Sequence, residues 1–435
     1  MRKIVAILFG MFLCVPYAHA VMLIEDTEIE SVVTNIISPV TNAAGVAPSR
    51  MRLYIVQDDD FNAFVMGGED IYLYTGLLSQ IRSPNALRAV VAHELGHMLG
   101  GHIAQMSAMM ESEMRRAMFI QALGVGLMLA GGNPSMGAGV MAGASGIAKQ
   151  SVLSFSRDEE RMADDMGVNL MCRAEFNPNG FLEVFDQMNE KTAHLESKLN
   201  PNAINHPLTS ERLKNVRDRL ESKEIKQQTF NVDSPDTVAQ YDLVRAKLVG
   251  YLDDFGRVKA LYPYSDKSSP AIYARAIANM RSGNLDGAMV GIKTLISRDA
   301  KNPFFYELLG DLEFKYGHYD AAVIAYERAL ELRPESPQIK AALALVLTER
   351  GRASDKARAI KLCKDGILKS PKPIMYWILA RAYESNDGRA DWAMAEYYNA
   401  QNQRDKATEY ARRAKTRLKI GSPEYIKSND ILNQK

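Results

Sequence analysis

Apolar side chains recur at helical spacing between Ser83 and Gly100, and this stripe is the clearest pattern in the first half of the chain. The positions that form it are Leu87, Val90, Val91, Leu95, Met98 and Leu99. Ser83 can accept a hydrogen bond as an N-cap, and Pro84 suits the first helical position because it lacks a backbone N–H. The pattern therefore predicts a buried helix that begins at Pro84.

A second helix is predicted after Ser156, where a charged run leads into an apolar one. Residues 157–164 carry most of the charge, and the apolar positions that follow are Met166, Val168, Leu170 and Met171. A charge cluster of this kind is usually a solvated helical face. The apolar positions that follow it favour a partly buried helix instead.

From about residue 235 the pattern changes to helical pairs rich in small residues. The prolines Pro270, Pro303, Pro337 and Pro371 recur every 33 or 34 residues. Small residues fall where paired helices would pack closely, at Gly283, Ala288, Gly310, Ala322, Ala329, Ala342, Ala380 and Ala382. This period predicts an all-α tetratricopeptide-repeat solenoid over residues 266–420, rather than a plain helical bundle. Residues 226–265 are expected to form a linker and an irregular first helix, and residues 421–435 a C-terminal tail.

The amino terminus has the three parts of a secretory signal peptide. Arg2 and Lys3 precede an apolar run from Ile4 to Val15, and Ala18-His19-Ala20 offers a small-residue cleavage site. Residues 1–20 are therefore expected to be removed after Ala20, which places the mature chain in the periplasm. No later segment reaches the roughly 18 apolar residues of a membrane-spanning helix.

Amino-acid composition says less about fold and function than the pattern of apolar positions does. The 53 Lys and Arg residues nearly balance the 52 Asp and Glu residues, so there is no reason to expect nucleic acid as a partner. Cleavage after Ala20 leaves only Cys172 and Cys363, which could form one disulfide or stay as buried free thiols. We favour free thiols because the two cysteines lie in different predicted domains.

Candidate chemistry lies within the first predicted helix, in His93-Glu94-Leu95-Gly96-His97. On a helix, His93 and His97 lie on one face and can bind a single Zn²⁺, and Glu94 can act as a general base on a water beside it. Burying such groups without partners costs roughly 1–3 kcal/mol each, and a metal ion removes that cost.

A third ligand is needed, because catalytic zinc usually takes three protein ligands. His102 falls one residue short of the longer histidine pattern and is better interpreted as a helix-end histidine or one that supports a ligand. The second helix offers Glu160 and Asp164 on one face, so that one can reach the metal and the other can orient a ligand histidine. Spacing alone leaves Glu159 open as the ligand.

These motifs resemble the membrane-associated zinc metallopeptidases that include the HtpX, Oma and Ste-type CAAX proteases. Three further segments agree in order, namely residues 62–64 with Gly67-Gly68 and residues 71–78 after them, then His206-Pro207, then Arg212. The resemblance covers roughly residues 50–215. It implies an α+β, gluzincin-like zinc metallopeptidase domain, which we assign to residues 21–225, with a small sheet near residues 52–74.

The resemblance also implies roles for individual residues. One zinc ion per chain would be held by His93, His97 and Glu160, with Glu94 as the catalytic base. Asp164 would support a ligand, and His206 and Arg212 would contact the substrate or the oxyanion. By the same resemblance, an edge strand around Asn62, Ala63 and Phe64 would pair with the substrate backbone. The alternative role for His206 is to fill the open zinc position as an inhibitory gate, and the sequence does not decide between the two.

One feature departs from the resemblance, because relatives such as HtpX carry membrane spans that this chain lacks. Residues 104–155, between the two zinc-binding helices, are rich in Gly, Met and Ala toward their end. They are interpreted either as a lid that touches a membrane surface or as a loop packed on its own domain.

The order of export signal, peptidase and repeats resembles periplasmic family members that assist β-barrel assembly. It implies an endopeptidase for misfolded or stalled outer-membrane proteins, with the β-barrel assembly machinery bound through the repeats. A chaperone or scaffold in which proteolysis is rare or suppressed remains the alternative.

Overall fold

The computed structural model describes residues 22–47, 50–66, 69–102, 157–195, 206 and 208–434. The predicted signal peptide and the predicted 104–155 lid lie outside the described residues. The chain divides into two compact units. Of the described residues, one unit comprises residues up to Glu25 and those from Ile29 to Arg245, and the other comprises Asp26–Glu28 and those from Ala246 onward.

A four-stranded sheet lies in the first part of the chain, which confirms the prediction of a small sheet near residues 52–74. Its strands are β1 (Leu23–Ile24), β2 (Arg52–Val56), β3 (Ala63–Met66) and β4 (Asp70–Tyr74), in the order β1-β2-β4-β3. Strands β2 and β4 run parallel, whereas β3 pairs antiparallel with β4. Strand β3 is therefore a terminal strand of this sheet.

Helices account for most of the remaining described residues before residue 230. They are α1 (Thr27–Ala43), α2 (Thr75–Gln80), α3 (Pro84–Leu99), α4 (Arg157–Arg173), α5 (Gly180–Leu195), α6 (Ser210–Leu220) and α7 (Lys223–Lys226). The predicted start of α3 is confirmed, since Pro84 is its first residue and the Ser83 hydroxyl accepts a hydrogen bond from the Ala86 amide at 3.0 Å.

Helices α3 and α4 pack with their backbones close together, and glycine makes this possible. A Cβ on Gly96 would lie 2.5 Å from the backbone oxygen of Ala163. On the other helix, a Cβ on Gly167 would lie 3.1 Å from the backbone of Ala92. Contacts this short leave no room for a side chain, so the glycines allow the two polar motifs to face each other.

The later residues form successive helices, each packed mainly on its neighbours in sequence, as in a helical repeat solenoid. The helices are α8 (Pro235–Leu252), α9 (Phe255–Leu261), α10 (Ser269–Ser282), α11 (Leu285–Arg298), α12 (Pro303–Tyr316), α13 (Tyr319–Leu332), α14 (Pro337–Arg350), α15 (Ala353–Lys369), α16 (Pro373–Ala382), α17 (Gly388–Ala400), α18 (Arg404–Arg417) and α19 (Pro423–Asn433). Ala288, Ala322 and Ala329 are fully buried, as close packing requires.

One of the predicted close-packing positions differs from expectation. Gly283 does not serve close packing, because a Cβ there would meet open space. It ends α10 in the left-handed conformation, with φ of 84°.

The structure also differs from expectation at both ends of the repeats. Residues 235–252 form a regular helix, capped by the Ser234 hydroxyl and anchored by the fully buried Tyr241, where we expected irregular structure. Residues 423–433 form helix α19 rather than a tail, because Ile431 packs into an apolar cluster with alanines of α17 and α18.

Both cysteines of the predicted mature chain are free thiols, as favoured from the sequence. Burial raises the pKa of Cys363 to about 12. Among the described residues, no helix combines the length and the apolar character needed to cross a membrane.

Candidate metal centre

His93 and His97 lie one turn apart on α3 and point their Nε2 atoms at each other across 3.2 Å. His97 is fully buried and His93 nearly so. A tetrahedral zinc ion with nitrogen ligands at about 2.0–2.1 Å places two such nitrogens about 3.3 Å apart. The spacing of the two imidazoles therefore fits a shared zinc ion.

Glu160 completes this group from α4. Its Oε2 atom lies 3.4 Å from His93 Nε2, and its Oε1 atom lies 3.6 Å from His97 Nε2. Nitrogen and carboxylate oxygen atoms at tetrahedral spacing are a donor set suited to zinc. Glu159 is only half-buried and lies outside the group of possible metal ligands that the described residues form.

His206 joins the same group, although it lies far from the other members in sequence. All four ligand atoms lie within 4.8 Å of one another. His206 Nδ1 is 2.8 Å from Glu160 Oε1 and 3.4 Å from His93 Nε2, and its Nε2 atom is 3.5 Å from Glu94 Oε1. This imidazole therefore lies where a fourth zinc ligand or a substrate group would lie.

Glu94 follows His93 on α3 and is almost entirely buried. Burial raises the pKa of its carboxyl group, while the nearby His206 and His93 act in the opposite direction. A carboxylate with a raised pKa is a stronger proton acceptor, which suits a general base.

The two histidines of α3 have opposite electrostatic environments. Burial opposes protonation of His93, but hydrogen bonds with Asp164 and Glu160 outweigh it and raise its pKa to about 9. Burial lowers the pKa of His97 to about 3. Asp164 Oδ1 lies 2.9 Å from His93 Nδ1, so this carboxylate holds the ring with Nε2 toward the other ligands.

Arg212 connects the carboxylates of Glu160 and Asp164 on α4. It lies in the first turn of α6, a helix that the Thr209 hydroxyl caps by accepting a hydrogen bond from the Arg212 amide. Its Nε and Nη2 atoms each donate to Asp164 at 2.8 Å, and its Nη1 atom lies 2.7 Å from Glu160 Oε2. The sequence led us to expect a substrate or oxyanion contact, whereas here the guanidinium fork is bound to these two carboxylates.

The predicted substrate strand coincides in part with β3. Ala63 and Phe64 lie in this terminal strand, and Asn62 directly precedes it. The Asn62 carbonyl accepts a hydrogen bond from the Tyr74 amide at 3.1 Å, which holds the start of β3 against β4. The ring of Phe64 stacks on Tyr72 with centroids 4.6 Å apart.

One contact of α3 was not anticipated from the sequence. Arg88, nearly fully buried, donates from Nε to the Ile36 carbonyl at 2.8 Å and binds both oxygens of Asp233 at 2.7 and 2.9 Å. Asp233 lies in the segment predicted to contain the linker. No local pattern links residues so far apart in sequence, so these contacts of Arg88 could not have been predicted from the sequence.

Comparison with known proteins gives matches over both parts of the chain. Residues 24–220 match the family model for Peptidase family M48. The β-barrel assembly-enhancing protease of Escherichia coli (strain K12) is 22% identical over 419 residues, which are 95% of this chain and 84% of that protein.

Two further relatives each match less than half of the chain. Metalloprotease LoiP of Escherichia coli (strain K12) is 29% identical over 203 residues, which are 46% of this chain and 74% of LoiP. The mitochondrial metalloendopeptidase OMA1 of Schizosaccharomyces pombe is 24% identical over 197 residues, which are 45% of this chain and 55% of OMA1.

Proposed function

Because residues 24–220 are a peptidase family M48 domain, we propose that this zinc metallopeptidase is exported and cleaves misfolded or stalled outer-membrane proteins in the periplasm. The predicted signal peptide supports export. The relatives named as β-barrel assembly-enhancing proteases, which align over most of the chain, support the substrate class. The helical repeats support binding to a protein partner, for which we propose the β-barrel assembly machinery.

The observation that carries the catalytic proposal is the convergence of His93, His97 and Glu160 around Glu94. The three ligand residues would hold zinc, which when bound acts as a Lewis acid on water and on the scissile carbonyl. Glu94 would take a proton from the attacking water and return it to the leaving amine. Glu94 is buried, and its Oε1 atom lies 3.5 Å from Nε2 of His206, a member of the same group, which supports this role.

Substrate binding is proposed at the terminal strand β3. An extended peptide added to the free edge of a sheet gains backbone hydrogen bonds whatever its sequence, and side-chain pockets then add preference. Ala63 and Phe64 begin this strand, and Asn62 directly precedes it. Binding of this kind suits an enzyme that acts on unfolded chains of varied sequence.

The test is cleavage of an unfolded outer-membrane protein by the wild type and by Glu94→Gln. Glutamine keeps the shape of the side chain but accepts no proton, so we expect full zinc content with turnover reduced by on the order of 10²–10⁴. Glu159→Gln is the matched control, since it makes the same change outside the ligand group. Near-normal turnover of Glu94→Gln at matched zinc content would reject this mechanism.

A scaffold function is the second candidate, and the position of His206 supports it. An imidazole among the zinc ligands would hinder substrate access and suppress proteolysis. If the scaffold function dominates, Glu94→Gln will support outer-membrane protein assembly in cells as well as the wild type does. If proteolysis dominates, the variant will bind the unfolded substrate and fail to clear it.

A further inference from the structure

His102 follows the C-terminal end of α3 and lies beside His97, a residue of the metal centre. It is 1% exposed, and its Nδ1 atom lies 3.1 Å from His97 Nδ1. The two rings meet at 73° with centroids 5.2 Å apart. His102 therefore faces the side of His97 that points away from Glu160.

The chain reaches this position through two glycines. Gly101 has φ of 72°, a left-handed conformation that favours glycine and reverses the chain after the helix. A Cβ on Gly100 would lie 2.6 Å from His102 Nε2. Gly100 therefore leaves room for the returning imidazole, and Gly101 supplies the left-handed conformation of the turn.

The contact between the two Nδ1 atoms constrains where the protons lie. Two ring nitrogens form a hydrogen bond only if one carries a proton and the other does not. His97 directs Nε2 toward His93 and Glu160, so Nε2 must be unprotonated for metal binding and the proton must be on Nδ1. His97 then donates to His102 Nδ1, and His102 carries its own proton on Nε2.

We propose that His102 is a positioning residue for the zinc ligand His97, with a neutral imidazole accepting the hydrogen bond that a carboxylate or carbonyl usually accepts from a metal-binding histidine. This inference rests on the zinc site proposed above. The two ligand histidines of α3 are thus held by different groups, His93 by the Asp164 carboxylate and His97 by an imidazole. His102 supports the ligand without adding a negative charge to the centre.

The test uses substitutions that place a polar atom at one ring position or the other. In His102→Asn the amide oxygen replaces Nδ1 and can accept from His97. In His102→Gln the polar atoms of the side chain lie near the former Nε2 position. In His102→Leu the side chain has no polar atom. We expect the Gln and Leu variants to bind zinc about 10–100-fold more weakly than the wild type, with Asn restoring most of the affinity.

The measurement is zinc affinity of the full-length protein by competition with a chelating dye, together with the absorption spectrum of the Co²⁺-substituted protein. Wild-type affinity in all three variants would overturn the inference. Equal weakening in all three would also overturn it, because a packing role predicts no rescue by Asn. If His102→Leu fails to fold, the comparison of Asn with Gln decides. If the wild type binds no zinc, the proposed function itself fails instead.

Discussion

Removal of the Arg212 side chain tests whether this residue acts through the zinc ligands or on the substrate. The guanidinium group is 6% exposed and is bound to two carboxylates that are each 2% exposed. Arg212→Ala leaves Glu160 and Asp164 buried without their shared cation. We therefore expect a loss of stability and of zinc binding, and not only a loss of turnover.

The magnitude follows from the burial of the ion pairs. Removing one partner of a buried, hydrogen-bonded ion pair costs about 3–5 kcal/mol, because the remaining charge has lost its solvent and its partner. For a domain of 150–250 residues, each kcal/mol lowers the Tm by about 2–4 °C. The zinc-free variant should therefore unfold about 6–20 °C below the wild type. With zinc bound, the difference in Tm between Arg212→Ala and the wild type should be smaller, because the zinc ion then interacts with Glu160.

The assay is thermal unfolding followed by circular dichroism, with and without zinc, alongside metal content. Arg219→Ala is the matched control, because Arg219 is also on α6 but is 28% exposed and pairs with the exposed Glu224. A surface pair of that kind contributes about 0–1 kcal/mol, so the control should unfold close to the wild type.

A Tm within about 2 °C of the wild type for Arg212→Ala would refute the interpretation that Arg212 stabilises the buried Glu160 and Asp164. The decrease in Tm expected above is several times larger. If that stable variant kept its zinc and lost turnover by on the order of 10²–10³, Arg212 would instead be the oxyanion donor expected from the sequence.

Three other predictions concern single side chains. Glu160→Gln should lose most of its zinc whereas Glu159→Gln should keep it, as measured by metal analysis, and the reverse result would shift the ligand by one residue. His206→Ala should raise basal cleavage of an unfolded substrate, because the imidazole lies in the ligand group; a fall in turnover of on the order of 10²–10³ at full zinc content would favour a transition-state donor. Cys363 should resist iodoacetamide at pH 8 until the protein is unfolded, since a pKa of about 12 leaves almost no thiolate, and mass spectrometry showing rapid labelling of the native protein would contradict this.

Much of the metal centre follows from local sequence. The positions of His93 and His97 on one helical face depend only on helical geometry, and the start of that helix depends on the cap formed by Ser83 and Pro84. The repeats were also predictable, because small residues and prolines at a fixed period specify packing between neighbours in the chain. Helix α19 had its own local signals in Ser422 and Pro423, which the sequence interpretation overlooked.

What the tertiary structure decided is which side chains meet. Glu159 and Glu160 differ by one position, which is about 100° around a helix, and the packing of α4 on α3, with Gly96 close to Ala163, brings Glu160 rather than Glu159 to the histidines. The tertiary structure also decides the partner of Arg212, because a guanidinium group can bind an oxyanion as well as a carboxylate. Local sequence specifies the direction of a side chain within its own helix, whereas its partner depends on contacts between segments far apart in the chain.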